Sequence, residues 1–229
     1  MKDLYVLLSE KKWSEALFKA LRNQYKDRSE WLLINKKEEF SLERLVGINP
    51  QKIFIPHWSY IISREIFEKY VCIVFHMTDL PFGRGGSPLQ NLIVRGFSET
   101  KISAIRVCEG IDTGDIYLKE TLSLEGTARE IFERAQPIIC KMIKAIIDDE
   151  IIPRPQVGIP VNFKRRKQNE GDIGLLEELN QVYDFIRMLD CEGYPNAFIE
   201  TKNFKLDFSN ATFDREGKFI NADVRIYRK

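Results

Sequence analysis

Hydrophobic and polar positions alternate between two patterns along the first third of this chain. Predominantly apolar runs, typical of buried strands, lie at 4–8, 31–34, 52–55 and 71–75. Between them, apolar residues recur every three or four positions, as in helices that pack on a sheet. The first such helix begins near Trp13, a second runs from Ser41 to a stop at Gly47 and Pro50, and a third spans 63–70. This alternation predicts an open α/β sheet with helices on its faces.

The rest of the chain continues the sheet and then changes character. A helix is predicted at 87–94, strands at 101–108 and 116–122, and a long helix that follows the capping-box pattern Thr127-Ala-Arg-Glu130 and ends near Asp149. Prolines and glycines then interrupt the chain. We expect residues 1–152 to form a catalytic domain, 153–174 a linker, and 175–229 a small C-terminal α+β lobe with a helix at 175–189 and strands at 197–200, 204–208 and 219–227.

Composition excludes several classes of protein. Of 229 residues, 44% are apolar, and 35 basic against 34 acidic residues give a net charge of +1, so no broad basic field is available to hold nucleic acid or a membrane. No stretch approaches the ~20 apolar residues of a membrane span, and a cytoplasmic location is expected. The four cysteines form no CxxC pair and the chain has two histidines, so we expect reduced thiols and no metal site.

The candidate chemistry lies in the segment that follows the strand at 71–75. His76 ends this apolar run and precedes a loop rich in glycine and proline, and Asp112 opens an Asp-Thr-Gly turn further on. Alpha/beta proteins place ligands at the carboxyl ends of their parallel strands, where His76 is expected. The simpler alternatives are a buried core histidine and an ordinary turn aspartate.

Several motifs occur in a fixed order across this segment. They are His76-x-Thr78-x-Leu80-Pro81, Arg84-Gly85, Pro88, Arg95-Gly96, Thr100 and Asp112-Thr113-Gly114-Asp115-Ile116. In this order they resemble the folate-dependent formyltransferase family, most clearly from about residue 53 to residue 152. The resemblance implies a Rossmann-like sheet, N10-formyltetrahydrofolate as co-substrate and transfer of its formyl group to a primary amine.

The resemblance also assigns catalytic roles. His76 would donate to the oxyanion that forms in the reaction, and Asp112 would pair with His76 and help to move protons. The family's further donor, an asparagine two residues before the histidine, is Val74 in this chain. Asn91 and Thr78 are the candidate replacements. A catalytically inactive homologue that binds folate or a sugar nucleotide therefore stays an alternative.

Binding residues follow from the same resemblance. The segment before the histidine strand and the Asp turn would form the pterin slot, although each side chain could equally be part of the core. The folate-binding candidates are Trp58, Tyr60, Ile61, Ile62, Ile111, Asp112 and Thr113. The substrate-binding candidates are Thr78, Arg84, Gly85, Gly86, Lys164 and Arg165.

The acceptor is expected to be an amino sugar. FHMTDLPFGRGGSPLQNLI and VYDFIRMLDCEGYPNAF look most like sugar N-formyltransferases that act on nucleotide-linked amino sugars, in particular the pseudaminic acid pathway type. The implied acceptor is a UDP-linked 4-amino-dideoxy sugar, and the basic segment at 164–167 suits its pyrophosphate. The near-neutral charge disfavours the alternative, a methionyl-tRNA formyltransferase-like enzyme. A homodimer is possible, and neither a nucleic acid nor a membrane partner is expected.

Overall fold

The computed structural model describes residues 2–214 and 216–229. The strands are β1 Asp3–Ser9, β2 Ser29–Ile34, β3 Lys52–His57, β4 Val71–His76, β5 Phe82–Gly85, β6 Glu99–Arg106, β7 Ile116–Ser123, β8 Val161–Phe163, β9 Ala197–Glu200, β10 Phe204–Phe213 and β11 Ile220–Arg228. The helices are α1 Ser14–Gln24, α2 Leu42–Ile48, α3 Arg64–Lys69, α4 Pro88–Ile93, α5 Ala128–Asp148 and α6 Leu179–Leu189. Short 3-10 helices lie at Lys37–Glu39 and Gln168–Gly171. No helix in these described ranges is long and apolar enough to cross a membrane.

The described chain forms two compact units. The first comprises the residues up to Gly85 together with Lys101–Leu122 and Glu133–Asn162, and the second comprises Gly86–Thr100, Ser123–Phe132 and Phe163–Lys229. Neither unit is continuous in sequence. The division predicted at 153–174 therefore stays a prediction about domains, while the two units are the compact bodies of the structure.

The first unit is built on a six-stranded sheet in the order β2-β1-β3-β4-β6-β7. β1 pairs in parallel with β2 and β3, β3 pairs in parallel with β4, and β6 is antiparallel to β4. Both faces of β1 are buried, as expected in a parallel sheet covered by helices. Val6 belongs to an apolar cluster on one face, and on the other Tyr5 lies 5.2 Å from Trp31, ring centroid to ring centroid. The predicted α/β sheet is thus confirmed.

The second unit contains the predicted small α+β lobe. β11, β10 and β9 form an antiparallel sheet in that order, and α6 packs against it through Tyr183, whose ring centroid is 4.8 Å from that of Phe213. The predicted capping box is also present, because Thr127 Oγ1 accepts from Glu130 N at 3.3 Å and Glu130 Oε2 accepts from Thr127 N at 2.7 Å.

Three local predictions need correction. α2 continues through Gly47 to Ile48, and the next residue, Asn49, takes the left-handed conformation (φ 46°) that asparagine tolerates at a helix end. α6 begins at Leu179, not at 175, because Leu175 is exposed and lies in a turn. The small sheet of β5 and β8 was not expected, since glycines and prolines surround both strands.

Candidate functional site

His76 ends β4 at the carboxyl edge of the parallel strands and is buried. Its Nε2 lies 2.8 Å from the carbonyl oxygen of Gly83, and its Nδ1 lies 3.5 Å from Asp112 Oδ2. A carbonyl oxygen only accepts, so Nε2 donates in this contact. The imidazole is therefore held between the loop after β4 and the Asp turn, and its catalytic role stays a prediction.

Asp112 lies in the turn between β6 and β7 with a left-handed backbone (φ 53°), a conformation for which aspartate is enriched. Its Oδ2 also accepts from the backbone N–H of Gly85 at 2.9 Å. One carboxylate oxygen thus faces both the imidazole and the glycine loop. The turn is tightly packed, because a Cβ on Gly114 would lie 1.7 Å from the carbonyl oxygen of Arg106.

Gln156 braces this turn, and sequence reasoning missed it. Its Nε2 donates to the carbonyl oxygens of Asp112 and Gly114, both at 2.8 Å. Its Oε1 accepts from Arg84 Nε at 3.1 Å and from another guanidinium nitrogen of Arg84 at 2.8 Å. Arg84, a predicted substrate ligand, is thereby linked to the Asp turn. Only the proline-rich composition around Gln156 was visible in the sequence, and it indicated a linker.

The loop after His76 is anchored by polar contacts. Thr78 is fully buried, and its Oγ1 donates to the Gly83 carbonyl that His76 also contacts (3.3 Å). Asp79 pairs with Lys101 at 3.0 Å and with Lys119 at 2.5 Å. Burial tends to raise the pKa of Asp79, but the two lysines outweigh it and lower that pKa below its ordinary value. Thr78 therefore supports the His76 loop, and its predicted substrate contact stays a prediction.

The segment after β3 divides into exposed and buried residues. Trp58 and Tyr60 pack edge to face with ring centroids 5.3 Å apart, and Tyr60 is 44% exposed. Ile61 is 86% exposed, whereas Ile62 is buried in the apolar cluster. Of the predicted folate wall, Tyr60 and Ile61 are thus exposed, Trp58 is partly buried against the apolar cluster, and Ile62 belongs to the core.

On the other predicted folate segment, Ile111 is 63% exposed next to Asp112 in the chain. Thr113 Oγ1 donates to the carbonyl oxygen of Glu109 at 2.8 Å and lies 3.4 Å from Cys108 Sγ. Thr113 is therefore occupied in shaping the turn. The backbone of the turn and the side chain of Ile111 stay the candidates for folate contact.

His57, which ends β3, was not among the candidates. Its Nε2 lies 3.1 Å from Gln136 Nε2, and its ring packs edge to face against Trp13 at 5.8 Å between centroids. Burial, with a smaller contribution from the positive charge of Lys11, lowers the pKa of His57 to about 4. It is therefore neutral at pH 7 and acts as a packed polar residue.

In the second unit the structure brings together four of the predicted site residues, namely Gly86, Asn91, Lys164 and Arg165. Asn91 Nδ2 lies within hydrogen-bonding distance of the carbonyl oxygens of Gly86 (3.0 Å), Ser87 (3.1 Å) and Lys164 (2.9 Å). A Cβ on Gly86 would lie 2.6 Å from Arg165 Cβ, so the basic segment packs directly on this glycine. An amide has two N–H groups, and backbone carbonyls already take both. The catalytic role of Asn91 stays a prediction that would require these bonds to break.

Two further cationic side chains lie in this part of the second unit. Arg95 stacks over the ring of Phe163 at 4.6 Å and donates to Asn91 Oδ1 at 2.9 Å. The backbone N–H of Arg166 donates to Ser87 Oγ at 3.1 Å, and its guanidinium lies 5.1 Å from the ring of Phe185. Burial lowers the pKa of Arg166, although it stays charged. The predicted basic segment is therefore folded onto the start of α4.

Comparisons with known proteins show which family this chain resembles. The family model "Methionyl-tRNA formyltransferase, C-terminal domain" matches residues 168–227. The solved structure of a methionyl-tRNA formyltransferase from Clostridium thermocellum is 45% identical, with a TM-score of 0.96 and 100% of both chains covered. This relative also confirms the predicted fold class.

More distant relatives extend the comparison. A methionyl-tRNA formyltransferase of Thermodesulfovibrio yellowstonii is 27% identical over 66% of this chain and 52% of its own length. The chain spans about half the length of the curated relatives it matches. A sugar N-formyltransferase from Shewanella sp. shares the fold, with a TM-score of 0.70 and 16% identity over 87% of this chain and 93% of its own.

Proposed function

This chain belongs to the formyltransferase family, and we propose that it transfers a formyl group from N10-formyltetrahydrofolate to a primary amine. The observation that carries the proposal is the pairing of His76 with Asp112 at the carboxyl edge of the sheet, with the N–H of Gly85 on the same carboxylate. N10-formyltetrahydrofolate would supply the formyl group. The exposed surfaces of Tyr60, Ile61 and Ile111 fit an apolar ring such as the pterin.

Each residue of the pair has a distinct task. The imidazole of His76 would donate to the formyl oxygen as that oxygen gains negative charge, which requires it to exchange the Gly83 carbonyl for substrate. Asp112 would orient the ring through Nδ1 and receive, through water, a proton from the attacking amine. In balance, a C–N bond to the acceptor forms, the bond to N10 breaks, and the amine proton ends on N10.

Val74 limits the rate that these residues can provide. It packs against the apolar cluster of the first unit and has no polar atom to offer. Loss of one oxyanion donor costs roughly 2.7–4 kcal/mol of barrier in other enzymes. We therefore expect His76 to bear more of the oxyanion stabilisation than in a site with the asparagine, and substitution of His76 to be correspondingly severe.

We propose a nucleotide-linked amino sugar as the acceptor, specifically a UDP-4-amino-dideoxy sugar of the pseudaminic acid type. Lys164 and Arg165 are exposed on the segment that packs on Gly86, where a diphosphate could meet both charges and close backbone. The net charge of +1 offers little for the many phosphates of a tRNA. Arg84 and Gly85 stay predicted contacts of the acceptor.

Methionyl-tRNA is the second candidate acceptor. The observation that favours it is the 45% identity to the methionyl-tRNA formyltransferase from Clostridium thermocellum, together with the family model at residues 168–227. A panel of UDP- and dTDP-linked amino sugars and methionyl-tRNA separates the two. Formylation of a sugar nucleotide but not of methionyl-tRNA supports the proposal, and the opposite result overturns the choice of acceptor.

An inactive, ligand-binding homologue is the remaining alternative, because of Val74. His76→Asn and Asp112→Asn distinguish it from an enzyme when turnover and folate affinity are both measured. An enzyme loses turnover in both variants and keeps its affinity for a folate analogue within a few-fold. A wild-type protein that binds the folate analogue and every acceptor tested without turnover would instead be a binding protein.

A further inference from the structure

β11 is an edge strand whose free side is long and partly apolar. It has β10 on one side, and no strand of residues 2–214 and 216–229 lies on its other side. It runs for nine residues without proline, and Val224 (48%) and Ile226 (64%) are exposed. Proteins usually shorten or block such an edge, because its free backbone groups pair readily with another strand.

The hydrogen-bond pattern shows which residues of β11 face outward. Lys229 N donates to the carbonyl oxygen of Asn203 at 3.0 Å, which places this pair in the hydrogen-bonded set of the β10–β11 ladder. Because that set alternates along an antiparallel pair, the next members on β11 are Tyr227, Arg225 and Asp223. The backbone N–H and C=O groups of Ala222, Val224 and Ile226 therefore point away from β10.

The side chains of these outward residues continue an apolar face. Val224 lies opposite Phe208, and Ile226 lies opposite Leu206, so each pair shares one face of the sheet. Phe204, two residues before Leu206, is on the same face and 46% exposed. A strand added to the free edge would extend this apolar face as well as satisfy the backbone.

The charges on β11 fit a second copy of the same strand. In an antiparallel pair about a two-fold axis at Val224, Ala222 lies opposite Ile226 of the second copy, and Asp223 lies opposite Arg225, twice by symmetry. An axis at Asp223 or at Arg225 would place like charges opposite each other. An axis at Ala222 would leave Asp223 and Arg225 without opposite charges across the edge. An axis at Ile226 would place Asp223 opposite Lys229, which already pairs with Glu200 Oε2 at 2.6 Å, and would leave Arg225 opposite Tyr227. The register at Val224 combines outward backbone groups with two pairs of opposite charges, and of these registers it is the one that pairs both Asp223 and Arg225.

We propose that β11 pairs with β11 of a second copy of this chain, antiparallel about a two-fold axis at Val224. The two three-stranded sheets then form one six-stranded sheet, held by backbone hydrogen bonds at the three outward residues and by two Asp223–Arg225 pairs. An isologous contact of this kind closes on itself, which limits the assembly to a dimer. This inference is independent of the reaction that the chain catalyses.

Charge exchange tests the register. Asp223→Arg and Arg225→Asp each place like charges opposite one another, and the double variant restores two opposite pairs with their positions exchanged. Asp223 also accepts from Asn210 Nδ2 at 2.6 Å, so Asn210→Ala is the matched control that removes this bond and keeps the charges. Analytical ultracentrifugation should give a dimer for the wild type, Asn210→Ala and the double variant. Each single variant should raise the dimer dissociation constant by at least about tenfold.

Cross-linking tests the axis. In a Cys108→Ser background, which removes the exposed native thiol, Val224→Cys places two thiols opposite each other at about 5.5 Å between Cα atoms, within disulfide range. Asn221→Cys on the same strand is the control, because the two copies of residue 221 would be about 20 Å apart. Oxidation should yield a covalent dimer from the first variant alone.

Two results would overturn the inference. One is a wild-type protein that sediments as a monomer up to about 100 μM, a concentration at which even a weak pairing with micromolar dissociation constant would be populated. The other is a dimer that forms equally in both single charge variants and cross-links no better through residue 224 than through residue 221. Either outcome assigns the free edge of β11 no role in self-association.

Discussion

Gln156 offers the sharpest test of how the Asp turn is held. Gln156→Ala removes two donors to the carbonyl oxygens of Asp112 and Gly114 and one acceptor for Arg84. A neutral hydrogen bond contributes about 0.5–1.5 kcal/mol and one to a charged group about 1.5–3 kcal/mol. Gln156 is half-buried and water can replace part of this, so we expect a loss of about 2–3 kcal/mol in the free energy of unfolding.

The same change should affect the reaction more than the fold. A shift of about 1 Å in a positioned group can cost about 100-fold in rate, so we expect kcat to fall about 10- to 100-fold as Asp112 moves relative to His76. The melting temperature should fall by roughly 4–12 °C, at about 2–4 °C per kcal/mol for a chain of this size. Thermal unfolding and steady-state formyl transfer measure the two effects on one preparation.

Gln156→Glu separates the two sides of the brace. The carboxylate keeps an acceptor for Arg84 but turns an oxygen toward the carbonyls of Asp112 and Gly114, where the amide had donated. Gln156→Glu should therefore be more stable than Gln156→Ala and yet lose kcat to a similar extent. Gln51→Ala, at an exposed glutamine far along the chain, is the control and should change neither quantity. If kcat in both Gln156 variants equals that of the wild type, the brace has no part in positioning Asp112.

Three further predictions concern the fold. Gly114→Ala should abolish formyl transfer and lower stability, since its Cβ would lie 1.7 Å from the carbonyl oxygen of Arg106. Gly47→Ala in α2, where the added Cβ has nothing within 4 Å, should instead raise the unfolding free energy by up to about 1 kcal/mol. Urea titration measures both unfolding free energies, and equal effects of the two substitutions would contradict the packing described. Thr127→Ala removes a helix cap and should cost about 1 kcal/mol, measured as a lower melting temperature; an unchanged value would show that the cap contributes nothing. The pKa of His57 is about 4 in the folded state and 6.5 in the unfolded state, so the stability present above pH 6.5 is lost progressively as pH falls toward 4, by up to about 3 kcal/mol. The unfolding free energy of His57→Gln should fall less over that window. Parallel curves of unfolding free energy against pH for the two proteins would refute this.

Local pattern was sufficient to predict the sheet. The apolar runs at β1, β3 and β4 and the capping box before α5 are signals carried within a few residues, and the structure confirms each of them. The end of α2 at Ile48, capped by Asn49, and the strands β5 and β8 were not predictable in this way. Glycine and proline predict breaks by their own preferences, while cross-strand pairing at β5 and β8 outweighs those preferences.

The candidate site shows the same limit at the level of side chains. The ordered motifs led to the prediction of a His76–Asp112 pair, and the structure places His76 Nδ1 3.5 Å from Asp112 Oδ2. Gln156 was missed, since its role depends on contacts 42 and 44 residues away along the chain, to Gly114 and Asp112. Asn91 was chosen for its amide, but only the folded structure shows that backbone carbonyls already use both N–H groups.

Formyl transfer to a UDP-4-amino-dideoxy sugar, followed by mass spectrometry of the product, tests the central claim most directly. With N10-formyltetrahydrofolate, the wild type should give one formylated amine for each tetrahydrofolate released, and His76→Asn should be slower by at least about 100-fold. Formylation of no amine in the panel, or equal rates for the wild type and His76→Asn, would contradict the assignment of the His76–Asp112 pair as the centre of a formyltransferase.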